Sequence, residues 1–174
     1  MNPHATSSTT ELDEETLAFS ERVFDLARHG DSAALEALLQ QGLPVDLRNH
    51  KGDSLLMLAS YHGHLEAARL LLQYKADPEL RNLNGQTPLA GVAFKGDLPM
   101  LQLLLEQGAD AEGTTPDGKT PLMMAAMFNR VDVIDVLLTH GADDQHQDST
   151  GLTALDVAQR MGSLQAAQRL QEAR

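Results

Sequence analysis

Asn84-Gly85-Gln86-Thr87-Pro88-Leu89 reads as a tight turn running into the start of a helix. The Asn-Gly pair supplies the positive backbone angle that the turn needs. Thr87 is placed to accept a hydrogen bond from the free N–H groups of the first helical turn. Pro88 falls at the first helical position, where its missing N–H costs nothing. The pattern returns 33 residues later as Asp117-Gly118-Lys119-Thr120-Pro121-Leu122. Shifting the whole chain by 33 aligns Gly52, Gly85, Gly118 and Gly151, then Leu56, Leu89, Leu122 and Leu155, then Leu38, Leu71, Leu104, Leu137 and Leu170. A recurrence of that length is the span of one turn and two short helices, repeated along the chain.

Within each period the turn is followed by Ser or Thr, an apolar run, a second break, another apolar run and a Gly-Ala-Asp type loop. Gly30, Gly63 and Gly96 are expected to end the first helix of their units in a left-handed conformation. Asn129 stands at the same place in the fourth unit and is the non-glycine residue best suited to imitate them. In the second helices Leu101, Leu104 and Leu105, like Ile134, Leu137 and Leu138, recur three and four apart and form one apolar stripe. A single unit cannot bury such a stripe, so the units must stack. The expected architecture is an all-α solenoid with short turn hairpins. Residues 1–10 are expected as a flexible N-terminal tail and 11–174 as one domain of five units: an N-terminal capping unit 11–50, full units 51–83, 84–116 and 117–149, and a C-terminal capping unit 150–174. Gln159, Arg169 and Gln171 replace small or apolar residues of the inner units and mark the last unit as a cap. At the other end Phe19-Ser20-Glu21 has lost the turn and helix-start pattern, and Phe24 with Leu12 or Leu17 is expected to cover the open side.

The 174-residue composition agrees with packed helices, being 42% hydrophobic but only 3% aromatic. There is no cysteine, which removes disulfides, thiolate metal sites and Cys nucleophiles together. Residues 1–10 lack the apolar core of a secretion signal, and no stretch reaches the roughly 20 apolar residues that span a bilayer. A cytoplasmic chain is the expectation. With 13 Lys and Arg against 25 Asp and Glu, the formal charge is -12, which disfavours nucleic acid and anionic membranes and favours a protein with a basic patch.

The segments Gly-Gln-Thr-Pro-Leu at 85–89, Gly-Lys-Thr-Pro-Leu at 118–122, and Gly-Ala-Asp at 108–110 and 141–143 resemble the ankyrin-repeat family. The resemblance covers about Ala18 to Leu170, and the brevity and acidity are similar to small stand-alone bacterial members. It implies antiparallel helix pairs, turns that project as fingers, and a concave face of fingers and first helices that binds another protein. Two departures stand out. Met57, Ala90 and Met123 replace the family's usual His at the seventh position of the unit, and Lys75 replaces the Gly before Ala76-Asp77.

On that stacking, the eighth, eleventh and twelfth positions of units two to four face the concave surface. They are Leu58, Tyr61 and His62, then Gly91, Phe94 and Lys95, then Met124, Met127 and Phe128. An exposed apolar row asks for a ligand, and these side chains are expected to form a continuous protein-binding strip. Lys51, Asp53, Gln86, Lys119 and Leu152 on the fingers are the further candidate contacts. Two alternatives are kept: Phe94, Met127 and Phe128 fold back and thicken the core, or the strip meets its own copy in a homo-oligomer instead of serving a monomer. The histidines, including His29, His62 and His64, read as structural or solvated, and the loop Asp143-Asp144-Gln145-His146 lacks a calcium-loop pattern. No nucleophile, phosphate loop or metal motif is present, so neither catalysis nor a cofactor is expected.

Overall fold

The computed structural model describes residues 7–173, with side-chain surroundings from residue 13 onward. Ten helices occupy that span. They are α1 (Ser7–His29), α2 (Ser32–Gln40), α3 (Leu55–Tyr61), α4 (Leu65–Gln73), α5 (Pro88–Lys95), α6 (Leu98–Glu106), α7 (Pro121–Met127), α8 (Val131–Thr139), α9 (Ala154–Met161) and α10 (Leu164–Glu172). The odd-numbered first helices pack in the row α1, α3, α5, α7, α9, and the even-numbered second helices form a parallel row beside them. Among the described residues the extended pairing is a single antiparallel bridge between Arg48 and Ser54. The all-α solenoid follows, with each finger a hydrogen-bonded turn and not a β-hairpin of any length.

The helix starts obey the chemistry of their first residues. The hydroxyls of Ser54, Thr87, Thr120 and Thr153 accept from the backbone N–H of Met57, Ala90, Met123 and Asp156, and Thr153 with Asp156 completes a reciprocal capping box. The helix ends obey the backbone. Gly96 closes α5 at φ 79°, and Asn129 takes up the same left-handed region at φ 57°. Lys75 also sits there, at φ 69°, where most units have glycine.

The boundary expected at residue 11 falls inside α1, which runs on for 23 residues where α3 and α5 have 7 and 8. With the glycine turn and the Thr-Pro start gone from unit one, nothing in the sequence stops the helix at its usual N-terminal end. Residues 1–6 of the expected tail, and the side chain of Leu12, lie outside the described residues. Phe24 is buried and does close the stack, but Leu17 is 65% exposed and does not take part.

The stripe of the second helices makes the core. Leu71, Leu104 and Leu137, each with a unit on either side, are fully buried, and Leu170 in the last unit is nearly so. Leu38, at the same repeat position in unit one, is only partly buried because no unit precedes it.

Polar ties set the spacing between units. His64 Nε2 donates to the Arg28 carbonyl at 2.7 Å, Arg130 Nε donates to the Phe94 carbonyl at 3.3 Å, and Ser163 Oγ donates to the Met127 carbonyl at 2.9 Å. These are equivalent bonds, from the residue after the first helix's terminal break to the eleventh position of the preceding unit. At the remaining inner junction the residue is Asp97, a carboxylate that cannot donate, and it caps its own helix through Met100 N instead. A second ladder runs along the fingers. Arg48 donates to the Arg81 carbonyl, and Arg81 in turn to the Thr114 carbonyl.

Candidate functional site

The first helices and fingers of units two and three enclose a groove of about 350 Å³. Its origin lies in one residue. The eighth position carries Leu58 in α3 and Met124 in α7, but Gly91 in α5, so the row of side chains is missing a member there. A Cβ built on Gly91 would lie 3.3 Å from the Tyr61 ring, which marks how closely the ring borders the vacant space. Tyr61 and Phe94 form the walls at the helix ends, Met57, Leu58 and Met124 line the apolar part, and Asp53, Asn82, Gln86 and Thr87 give the finger end its polar lining.

Six residues singled out from the sequence therefore meet in one place: Asp53, Leu58, Tyr61, Gln86, Phe94 and Met124. Leu58 differs from its expected role as an exposed contact. It is 8% exposed and belongs to the floor, because α3 turns that side inward against the neighbouring first helices. The continuous strip is corrected to a trough, since Gly91 contributes no side chain and Leu58 little surface.

Around the groove the aromatic residues support one another. Phe94 and Phe128 meet edge to face with ring centroids 4.5 Å apart, and Phe128 keeps 37% of its surface exposed. Tyr61, 40% exposed, meets the His62 ring edge to face at 5.6 Å. The Lys95 ammonium lies 4.5 Å above the Tyr61 ring. Burial, and then the positive or titratable neighbours His64, Lys95, Arg28 and His29, hold the His62 pKa below the ordinary histidine value.

The other expected contacts lie outside the groove lining. Met127 is partly buried, Lys51 is exposed, Lys119 is ion-paired with Asp117, and Leu152 is partly buried on the last finger. Sequence reasoning passed over Asn82, Thr87 and Pro88 as lining residues because their local roles, turn and helix start, are already accounted for. Met57 carried a signal in its departure from the seventh-position pattern.

The residues weighed for other chemistry are engaged elsewhere. His29 Nδ1 contacts the Asp25 carbonyl of its own helix at 2.8 Å, and His64 is committed to the tie across units. Asp143 accepts from Gln145 N, and Asp148 accepts from Thr150 N and Leu152 N, while His146 Nε2 donates to the Gly118 carbonyl at 3.1 Å. Among the described residues no group of three or more His, Asp and Glu is placed to hold a metal ion, and no helix is long and apolar enough to cross a membrane.

The model of the ankyrin-repeat family, described as ankyrin repeats in three copies, matches residues 23–112 and again 90–174. A Pseudomonas aeruginosa protein described as an ankyrin repeat protein is 69% identical over 55 residues, which make up 32% of this chain and 32% of that one. The matched stretch thus spans about a third of that relative's length.

Proposed function

Because the chain belongs to the ankyrin-repeat family, whose members generally act as protein-interaction modules, we propose that it is a non-catalytic module that holds a partner protein against the trough formed by α3, α5, α7 and their fingers. The observation that carries this reading is the groove beside Tyr61, Phe94 and Phe128. Two of these rings are more than a third exposed, on a chain with only six aromatic residues. Rigid amphipathic rings around a concavity are the anchors that contribute most to protein binding. Met127, Lys95 and His62 extend the same surface, and Lys51, Lys119 and Leu152 are the outlying finger contacts of the proposal.

The formal charge of -12 favours a partner with a basic surface, since like charge repels anionic surfaces and opposite charge speeds encounter. The proposal places the chain in the cytoplasm as a monomer.

The test compares wild type with the triple variant Tyr61→Ala, Phe94→Ala, Phe128→Ala in pull-downs from the native cell lysate, with unfolding curves and size-exclusion chromatography alongside. A variant that stays folded and monomeric yet loses a specific wild-type partner supports the proposal. Retention of that partner at unchanged affinity refutes it. A wild type that elutes as a dimer, with the variant a monomer, assigns the trough to self-association.

A further inference from the structure

We propose that the groove between units two and three is a socket for an arginine side chain of the partner protein, its guanidinium on Asp53 and its alkyl stem along Leu58, Gly91 and Phe94. The inference rests on the proposed protein-binding role of this trough and names what the trough reads.

Asp53 is the one carboxylate in the groove lining, and it stands at the polar end. The Asn82 amide holds its Oδ1 at 3.0 Å and the Asn49 amide its Oδ2 at 3.3 Å, so the group is fixed in position. Two neutral amides orient the carboxylate without neutralising it. Among the described residues the ion pairs join Asp25 to Arg28, Glu66 to Arg69, Asp117 to Lys119 and Asp135 to Arg169, and Asp53 has no cation of its own. A carboxylate has about four lone-pair sites, so two remain for a forked donor. Asp53 is also partly buried, which strengthens its attraction for a cation above that of a fully solvated group.

The remainder of the groove selects among cations. A free metal ion or a bare ammonium would leave the apolar lining of Leu58, Phe94 and Met124 unused, whereas an arginine stem covers such surface while its planar head makes paired bonds to the carboxylate. An anion is disfavoured even though α5 begins here. Pro88 has no N–H, the N–H of Ala90 is taken by Thr87 Oγ1, and that of Gly91 by the Thr87 carbonyl.

The test pans a random peptide library displayed on phage against the full chain, then measures the enriched sequences as synthetic peptides by calorimetry on wild type, Asp53→Asn and Gly91→Leu. Gly91→Leu fills the groove with the side chain that Leu58 already places at the same repeat position, and unfolding curves verify that both variants are folded. Expected are sequences with an arginine beside an apolar residue, binding at least tenfold more weakly to Asp53→Asn and undetectably to Gly91→Leu. Enriched peptides that lack a basic residue, and that lose affinity on Gly91→Leu but not on Asp53→Asn, would overturn the arginine assignment and leave the trough as the binding face. Peptides indifferent to both variants, or a library without any enriched binder, would count against the socket and the trough alike.

Discussion

Replacing Leu104 by alanine in α6 tests whether stability is concentrated in the middle of the stack. Leu104 is fully buried, so the substitution strips away two to three methylene equivalents at about 0.8 kcal/mol each, about 2 kcal/mol of transfer free energy. A closed cavity adds to that, and the total falls within about 2–5 kcal/mol. Leu38→Ala removes the same atoms from the same repeat position. There the leucine is only partly buried, and the space it leaves opens to water, so the expected cost is about 1 kcal/mol. Gln171→Ala, on an exposed cap residue, should change stability by no more than about 0.5 kcal/mol. Urea titrations followed by far-ultraviolet circular dichroism give all three, as shifts of midpoint at constant slope. A fall in slope for Leu104→Ala would mean that the units on its two sides unfold separately. Equal losses at Leu104 and Leu38 would refute the assignment of inside and outside on which the stack rests.

Gly30→Ala should destabilise more than Gly42→Ala in the same titration. Both glycines have positive φ, for which alanine costs about 1–2 kcal/mol, but a Cβ at Gly30 would also lie 2.5 Å from the His64 ring and disturb its tie to Arg28, whereas nothing lies within 4 Å at Gly42. Lys75→Gly relieves a left-handed lysine at φ 69°, and a midpoint gain equivalent to about 0.5–1 kcal/mol is expected once the larger unfolded-state freedom of glycine is set against it. In acid, hydrogen bonds led by Thr150 to Asp148 and by Lys119 to Asp117 hold both pKa values below the ordinary aspartate value. Their contribution is present above an unfolded pKa of about 3.9 and is lost as pH falls through the lower folded values. Asp148→Asn, matching Asn49 and Asn82 at that repeat position, should keep the turn and flatten part of the acid loss in midpoint-versus-pH curves. Glu79 has the opposite sign, because burial raises its pKa and its contribution disappears as pH rises through the raised folded value. Glu79→Gln should therefore gain stability at pH 7 relative to wild type, and a loss there would contradict the sign.

The spacing of 33 determined the fold, because the features that build each unit act over a few residues. A threonine caps the helix that follows it, a glycine or Asn129 ends it, and a leucine every three or four residues gives it one apolar side. The sequence also pointed to Tyr61, Phe94 and Asp53, since stacking equal units turns a repeat position into a surface row. The tertiary structure alone decided that the row is a trough. The sequence counted Gly91 as one more member of a continuous strip, and only packing Tyr61, Phe94 and Met124 around it leaves a vacancy. It likewise decided that Leu58 is floor and that His64 serves a tie between units. It also left Asp97 without the equivalent bond, and it extended α1 to 23 residues. Each of these depends on which surfaces a neighbouring unit covers, and that is a property of the stack, which no single period of the chain contains.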